Sequence, residues 1–181
     1  MKKAVALLRG INVGKAKRVA MADLRALVEG LGYRDARTLL NSGNVVFGVP
    51  STARGDAAKR IEEALATKLG VSAKVLVVSA GELAAVVEAN PLEAVATDPS
   101  KYLVTFVADP ASLAKLEPLT ARDWSPDALR LGERVAYTWS ANGVLQSEVI
   151  TAMNKALRDG ATSRNWATVL KLNAMLAEAP A

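Results

Sequence analysis

The order of apolar runs predicts an α+β protein made of two similar halves. Three observations carry this expectation. In residues 1–80, strand-like and helix-like segments follow one another as strand, helix, strand, strand, helix, strand. From about residue 101 the order strand, helix, strand, strand, helix recurs. Turn formers stand between these segments: Gly32, the run Asn41 to Asn44, Pro50, Gly70, Asn90-Pro91 and Ala141 to Gly143. The first order is that of a ferredoxin-like (α/β-plait) unit, an antiparallel sheet with two helices packed on one face. We therefore expect a basic ferredoxin-like domain over residues 1–80, and a second ferredoxin-like domain over 81–181 that carries an extra C-terminal helix.

Each element has a local reason. Residues 3–11 hold the aliphatic run AVALL, a buried strand closed by Gly10. Met21, Leu24, Leu27, Val28 and Leu31 recur at helical spacing, and Gly32 stops that helix. Residues 36–40 and 45–49 are strands joined by the turn-forming Asn41-Ser42-Gly43-Asn44, so they read as a hairpin. A helix over 56–69 turns Ile61, Ala64, Leu65 and Leu69 inward and ends at Gly70, and 73–78 is an aliphatic fourth strand. Ser79 or Ala80 opens a helix that Asn90-Pro91 ends. Residues 101–108 are a strand, Asp109-Pro110 starts a helix closed by Pro118, 127–131 and 135–140 pair, and 148–157 is helical.

The last helix is expected over 164–177, capped by Thr162 or Ser163. At 100° per residue Trp166, Val169, Leu170 and Leu176 share one side, and Arg164, Thr168 and Lys171 fall within about 60° of each other on the opposite side. One face packs and the other is cationic. On this reading a helix, not a strand, completes the second half.

Composition removes whole classes of chemistry. The chain has no cysteine and no histidine. Thiolate nucleophiles, disulfides, histidine-zinc sites and Ser-His-Asp hydrolysis are therefore excluded, and any catalysis must use Lys, Tyr, carboxylates or a magnesium-type ion. No residue spacing resembles a metal cage, and no cofactor is expected. The apolar run Ala4 to Leu8 is too short for a signal peptide or a membrane span, which need about 7–15 and about 20 apolar residues. A soluble cytoplasmic protein, not a membrane one, is the expectation.

Charge is unevenly distributed. Residues 1–80 hold 14 Lys/Arg against 6 Asp/Glu, a formal +8, and residues 81–181 hold 9 against 12, a formal −3. A basic half concentrates anionic ligands, nucleic acid among them; a solvated basic surface gives the same count.

Three segments, LLRGINVG at 7–14, NSGNVVF at 41–47 and TSRNWATVLKL at 162–172, closely resemble the signature stretches of the bacterial domain-of-unknown-function family 1697. The resemblance covers essentially the full length. It implies two ferredoxin-like domains in a bacterial cytosolic protein, and it implies no reaction, ligand or catalytic residue. The chain departs from the family pattern at Lys15, where a glycine is commoner. It departs again at Gln146-Ser147-Glu148, where flanking basic residues are missing, and this argues against an anion role for Ser147.

The candidate ligand-binding residues are Arg9, Asn12, Lys15, Ser42, Asn44, Arg164, Asn165 and Lys171. Gly10-Ile11-Asn12-Val13-Gly14-Lys15 superficially resembles a phosphate loop, but its glycines are too close and no Ser/Thr follows the lysine. Gly10 and Gly14 read as a sharp strand exit with left-handed backbone. Arg9, on an apolar strand, must find water, a carboxylate or a ligand. Ser42-Gly43-Asn44 is either a plain turn or, if it lies beside Asn12, part of an oxyanion site. A cation at Arg164 in a first helical turn opposes the helix dipole, so an internal carboxylate or a bound anion should compensate it. Trp166 reads as a core anchor, and Gly10, Gly14, Gly43 and Trp166 are taken as structural. Phe47 is the one aromatic of the first-half strands, too few for base stacking of the RNA-recognition kind.

The leading functional expectation is non-catalytic binding of a phosphate-bearing ligand, nucleic acid or nucleotide, through the basic first domain. The alternatives are an enzyme acting on a small anionic metabolite and a protein-interaction module. Partners are thus nucleic acid or a phosphorylated small molecule. The sequence says nothing of oligomeric state.

Overall fold

The computed structural model describes residues 1–12, 14 and 18–178. The chain divides into two compact units, Met1–Leu83 with Leu172–Ala181, and Ala84–Lys171.

In the first unit, β1 (Lys2–Arg9), α1 (Met21–Gly30), β2 (Arg34–Leu39), β3 (Asn44–Val49), α2 (Ala57–Leu69) and β4 (Lys74–Ser79) follow the expected order. The sheet is antiparallel, β2-β3-β1-β4, with β1 in the interior. Ala4, Ala6 and Leu8 point into a core with Leu24, Leu27 and Val28 of α1, Ile61 and Leu65 of α2, and Val45 and Phe47 of β3. Strand alternation puts Val5 and Leu7 on the opposite face, where they are buried together with Val46, Leu76 and Val78. Burial on both faces is why β1 reads as an unbroken apolar run.

The end of the C-terminal helix reaches this second face. Arg37, in register with Val46, donates to the Met175 carbonyl at 3.0 Å and pairs with the Glu178 carboxylate, and Lys3 donates to the Glu178 carbonyl. The sheet face that RNA-recognition domains leave open for bases is therefore closed in this unit.

Local chemistry sets the helix ends. The Asp56 side chain accepts from the Ala58 amide at 2.9 Å, and Gly70 (φ 62°) takes the left-handed position after α2. Arg60 donates to the Leu31 carbonyl at 2.7 Å and lies 5.3 Å from the Tyr33 ring centre, tying α2 to the end of α1. α3 (Ala80–Glu88) opens on a capping box: Ser79 and Glu82 bind each other's backbone amides.

The second unit contains β5 (Tyr102–Val107), a 3-10 turn at Pro110–Leu116, α4 (Glu117–Thr120), β6 (Ala128–Leu131), β7 (Val135–Trp139), α5 (Glu148–Leu157), β8 (Ala161–Asn165) and the start of α6 (Trp166–Ala177). Its sheet is antiparallel, β6-β7-β5-β8. One face packs Val107, Leu129, Ala136 and Ala161 against Leu113, Leu116, Val149, Met153 and Leu157. On the other, Tyr102 donates to the Asn90 side chain at 2.5 Å and Tyr137 to the Val86 carbonyl at 2.7 Å. Trp166 lies 5.0 Å from the Tyr102 ring.

Four expectations are corrected. A strand completes the second half: Thr162, Ser163 and Arg164 belong to β8, paired with β5, and not to a helix start. A short polar segment with no apolar alternation gives no strand signal, so only its pairing with β5 reveals it. Pro118 sits in the first turn of α4, where a missing amide costs nothing, and does not close the preceding segment. In α6 Leu172 is buried with Trp166, Val169 and Leu176, which turns the apolar face away from Leu170 (41% exposed) and buries Thr168. Finally, residues from Leu172 onward group with the first unit, held by the Arg37 and Lys3 contacts, and not with the second.

Candidate functional site

Antiparallel pairing gathers one end of the first sheet. Leu7 and Leu39 both face Asn44, and Arg9 faces Lys74, so the exits of β1 and β2 and the entries of β3 and β4 meet there. The loop after Arg9 and the turn before Asn44 are consequently neighbours, as the oxyanion-site reading of Ser42-Gly43-Asn44 required.

Their contact is close and specific. The Leu8 amide donates to the Gly43 carbonyl at 2.8 Å. A β-carbon at Gly43 (φ +85°) would stand 2.7 Å from Leu8 Cβ and 2.8 Å from Ile11 Cδ1. Gly43 is glycine for both space and conformation. Asn44 is buried, and its Nδ2 donates to the Leu39 carbonyl at 2.8 Å and to Ser42 Oγ at 3.0 Å.

Asn12 fastens the loop to the turn. Its backbone is left-handed (φ 54°), a conformation that asparagine tolerates better than most residues. Its Nδ2 donates to the Val19 carbonyl at 2.9 Å and the Asn41 carbonyl at 2.8 Å, and its Oδ1 accepts from the Val19 amide at 2.8 Å. Both polar ends of the side chain are thus committed inside the protein. Asn12 shapes the site; it has no polar atom left over to hold a ligand without breaking that clasp.

The exposed cations here are of a different kind. Arg18 is exposed and donates to the Asn12 carbonyl at 2.9 Å. Lys74 stands across from Arg9, and its ammonium lies 3.9 Å from the Glu62 carboxylate, a loose surface pair. Arg18 and Lys74 were not among the residues singled out from sequence. Once the ferredoxin-like order is recognised, antiparallel register places the start of β4 beside the end of β1, and that signal would have found Lys74. Lys15 lies outside the described residues. No helix of the described residues is long and apolar enough to cross a membrane.

The third signature segment lies in the second unit. Arg164 is 9% exposed, on β8 opposite Val104, and donates to Thr162 Oγ1 at 2.8 Å and the Ser163 carbonyl at 2.9 Å. It is therefore not the first-turn helix cation expected from sequence, because the helix starts after it. Burial pushes its guanidinium pKa down to about 10. Asn165 supplies the helix cap, accepting from the Thr168 amide at 2.9 Å. Lys171 is exposed on α6. Ser147 caps α5 and donates to Asp127 at 2.8 Å, a structural role.

The buried titrating groups of the second unit predict an alkaline response. Burial, and then the neighbouring Tyr137, raise the Tyr102 phenol above its ordinary 10.0, and burial raises Tyr137 as well. Groups raised in this way stabilise the fold fully below the unfolded pKa, and that stability is lost as pH climbs towards the folded one. Arg164 acts with the opposite sign: its burial penalty is relieved above about 10. With both tyrosines against the one arginine, the melting temperature is expected to fall above pH 10, and Tyr102→Phe should make that fall shallower. Melts between pH 9 and 11.5 that show equal slopes would contradict this.

Fold and site together define a protein of two ferredoxin-like halves, the first with a preshaped loop-and-turn end. The chain belongs to the family described as "Protein of unknown function (DUF1697)", whose model matches residues 1–137. Its fold is similar to that of a conserved bacterial protein from Streptococcus pneumoniae, with a TM-score of 0.78 and 21% identity over 97% of this chain and 98% of the other. Identity at that level carries the fold alone. No curated protein matches the chain.

Proposed function

We propose that this protein binds a phosphate-bearing ligand, nucleic acid or a nucleotide, at the β1-exit end of its first unit, without catalysing a reaction. The carrying observation is the grouping of Arg9, Arg18 and Lys74 at that end, where Lys74 makes only a loose 3.9 Å surface pair with Glu62. Charge by unit points the same way. Met1–Leu83 with Leu172–Ala181 holds 14 Lys/Arg against 8 Asp/Glu, whereas Ala84–Lys171 holds 9 against 10. Because the sheet face opposite α1 and α2 is buried, contact is through phosphate and not through bases stacked on strands. The absence of cysteine and the bacterial source of the similar fold support a place in the bacterial cytoplasm.

Fluorescence anisotropy with labelled single- and double-stranded DNA and RNA tests the proposal. Binding should weaken steadily as salt rises, because each neutralised phosphate releases counterions. No binding at low salt would remove nucleic acid from the proposal. Binding indifferent to salt would remove the phosphate contacts.

A further inference from the structure

We infer that the stretch from Gly10 to Asn12, directly after β1, is a main-chain nest that holds a single phosphate group of the ligand, an inference that rests on the phosphate-binding function proposed above. Gly10 (φ 75°) and Asn12 (φ 54°) are left-handed, and Ile11 between them is not. Alternation of backbone hand turns successive N–H groups towards one side, and the concavity so formed attracts an oxyanion. Among the described residues, no protein acceptor is found for the amides of Gly10, Ile11 or Asn12.

Two further observations separate this loop from an ordinary turn. Among the described residues, a β-carbon at Gly10 would meet nothing within 4 Å, unlike one at Gly43, so this glycine serves backbone conformation and not close packing. The shape is also fixed in advance. Ile11 is buried against the Gly43 turn, and the Asn12 side chain is held at Val19 and Asn41. A preformed site avoids the ordering cost of binding. Arg18 is fastened to the Asn12 carbonyl, which holds one guanidinium next to this stretch. The nearest helix, α1, begins only at Met21, so its N-terminus adds nothing as it would in a nucleotide-hydrolysing phosphate loop. One phosphate, not a metal-bound triphosphate, is the fitting guest.

Titration of the 15N-labelled full chain with inorganic phosphate tests this directly. The amide signals of Gly10, Ile11 and Asn12 should move saturably, while Gly143, left-handed in the second unit, stays still. Gly10→Ala keeps the amide but disfavours the left-handed backbone that aims it, and should weaken phosphate about tenfold, the size of one hydrogen bond to a charged group. Competition then identifies the source of the group. Phosphate that displaces a 5′-phosphorylated oligonucleotide but not its unphosphorylated form assigns the nest to a terminal phosphate; displacement of both assigns it to a backbone phosphate. If phosphate leaves all three amides unmoved while oligonucleotides still bind in a salt-dependent way, the nest is overturned and the phosphate-binding function stands. If neither binds, both fall.

Discussion

Gly43→Ala is expected to lower the stability of the protein by about 2–4 kcal/mol, the largest effect of any single methyl group at this site. Two costs combine. The left-handed backbone at φ +85° disfavours any β-carbon, and the added carbon would sit 2.7 Å from Leu8 Cβ. Leu8 Cβ is fixed to the central strand, so no side-chain rotation relieves the overlap; β1 or the turn must shift. Such a shift also strains the 2.8 Å hydrogen bond from the Leu8 amide to the Gly43 carbonyl. Urea denaturation followed by circular dichroism reads the loss as a lower midpoint at unchanged m-value. A change below about 0.5 kcal/mol, the range of an ordinary surface substitution, would show that the turn does not pack as described.

Asn12→Ala should cost about 2–3 kcal/mol, and Asn12→Gly about 1 kcal/mol less. Alanine removes the donors to Val19 and Asn41, the acceptor for the Val19 amide, and the tolerance for φ 54°. Glycine removes the same bonds but accepts the backbone. The difference between the two variants therefore isolates conformation from hydrogen bonding. Equal losses would mean that the left-handed backbone at position 12 contributes nothing.

Much of the fold is legible because hydrophobic period and turn chemistry agree over the first 80 residues. β1, α1, the hairpin and α2 each have a local signal, and their order leaves one familiar arrangement. The misreading at 161–165 has a physical cause. β8 is short and polar, and only its pairing with β5 makes it a strand, a long-range event with no local period. The same error moved Arg164 from strand to helix start and created a dipole conflict that the molecule does not have.

At the site, residue identity signalled importance but not role. Asn12 and Asn44 look like ligand groups in sequence because they are polar, Asn12 lying between two glycines and Asn44 following one. Their side chains are in fact spent on Val19, Asn41, Leu39 and Ser42. The adjacency of the first two signature segments followed from hairpin topology. The neighbourhood of Lys74 required strand register across β1 and β4, which becomes readable only once the fold is assumed.

The most direct measurement is the slope of log binding constant against log salt for an oligonucleotide, compared between the natural chain, Arg18→Gln, Lys74→Gln and, as control, Lys115→Gln in the second unit. Each first-unit variant should lower the slope by about 1, the signature of one lost phosphate contact, and the control should leave it unchanged. Slopes identical in all four proteins would contradict the assignment of phosphate binding to this end of the first sheet.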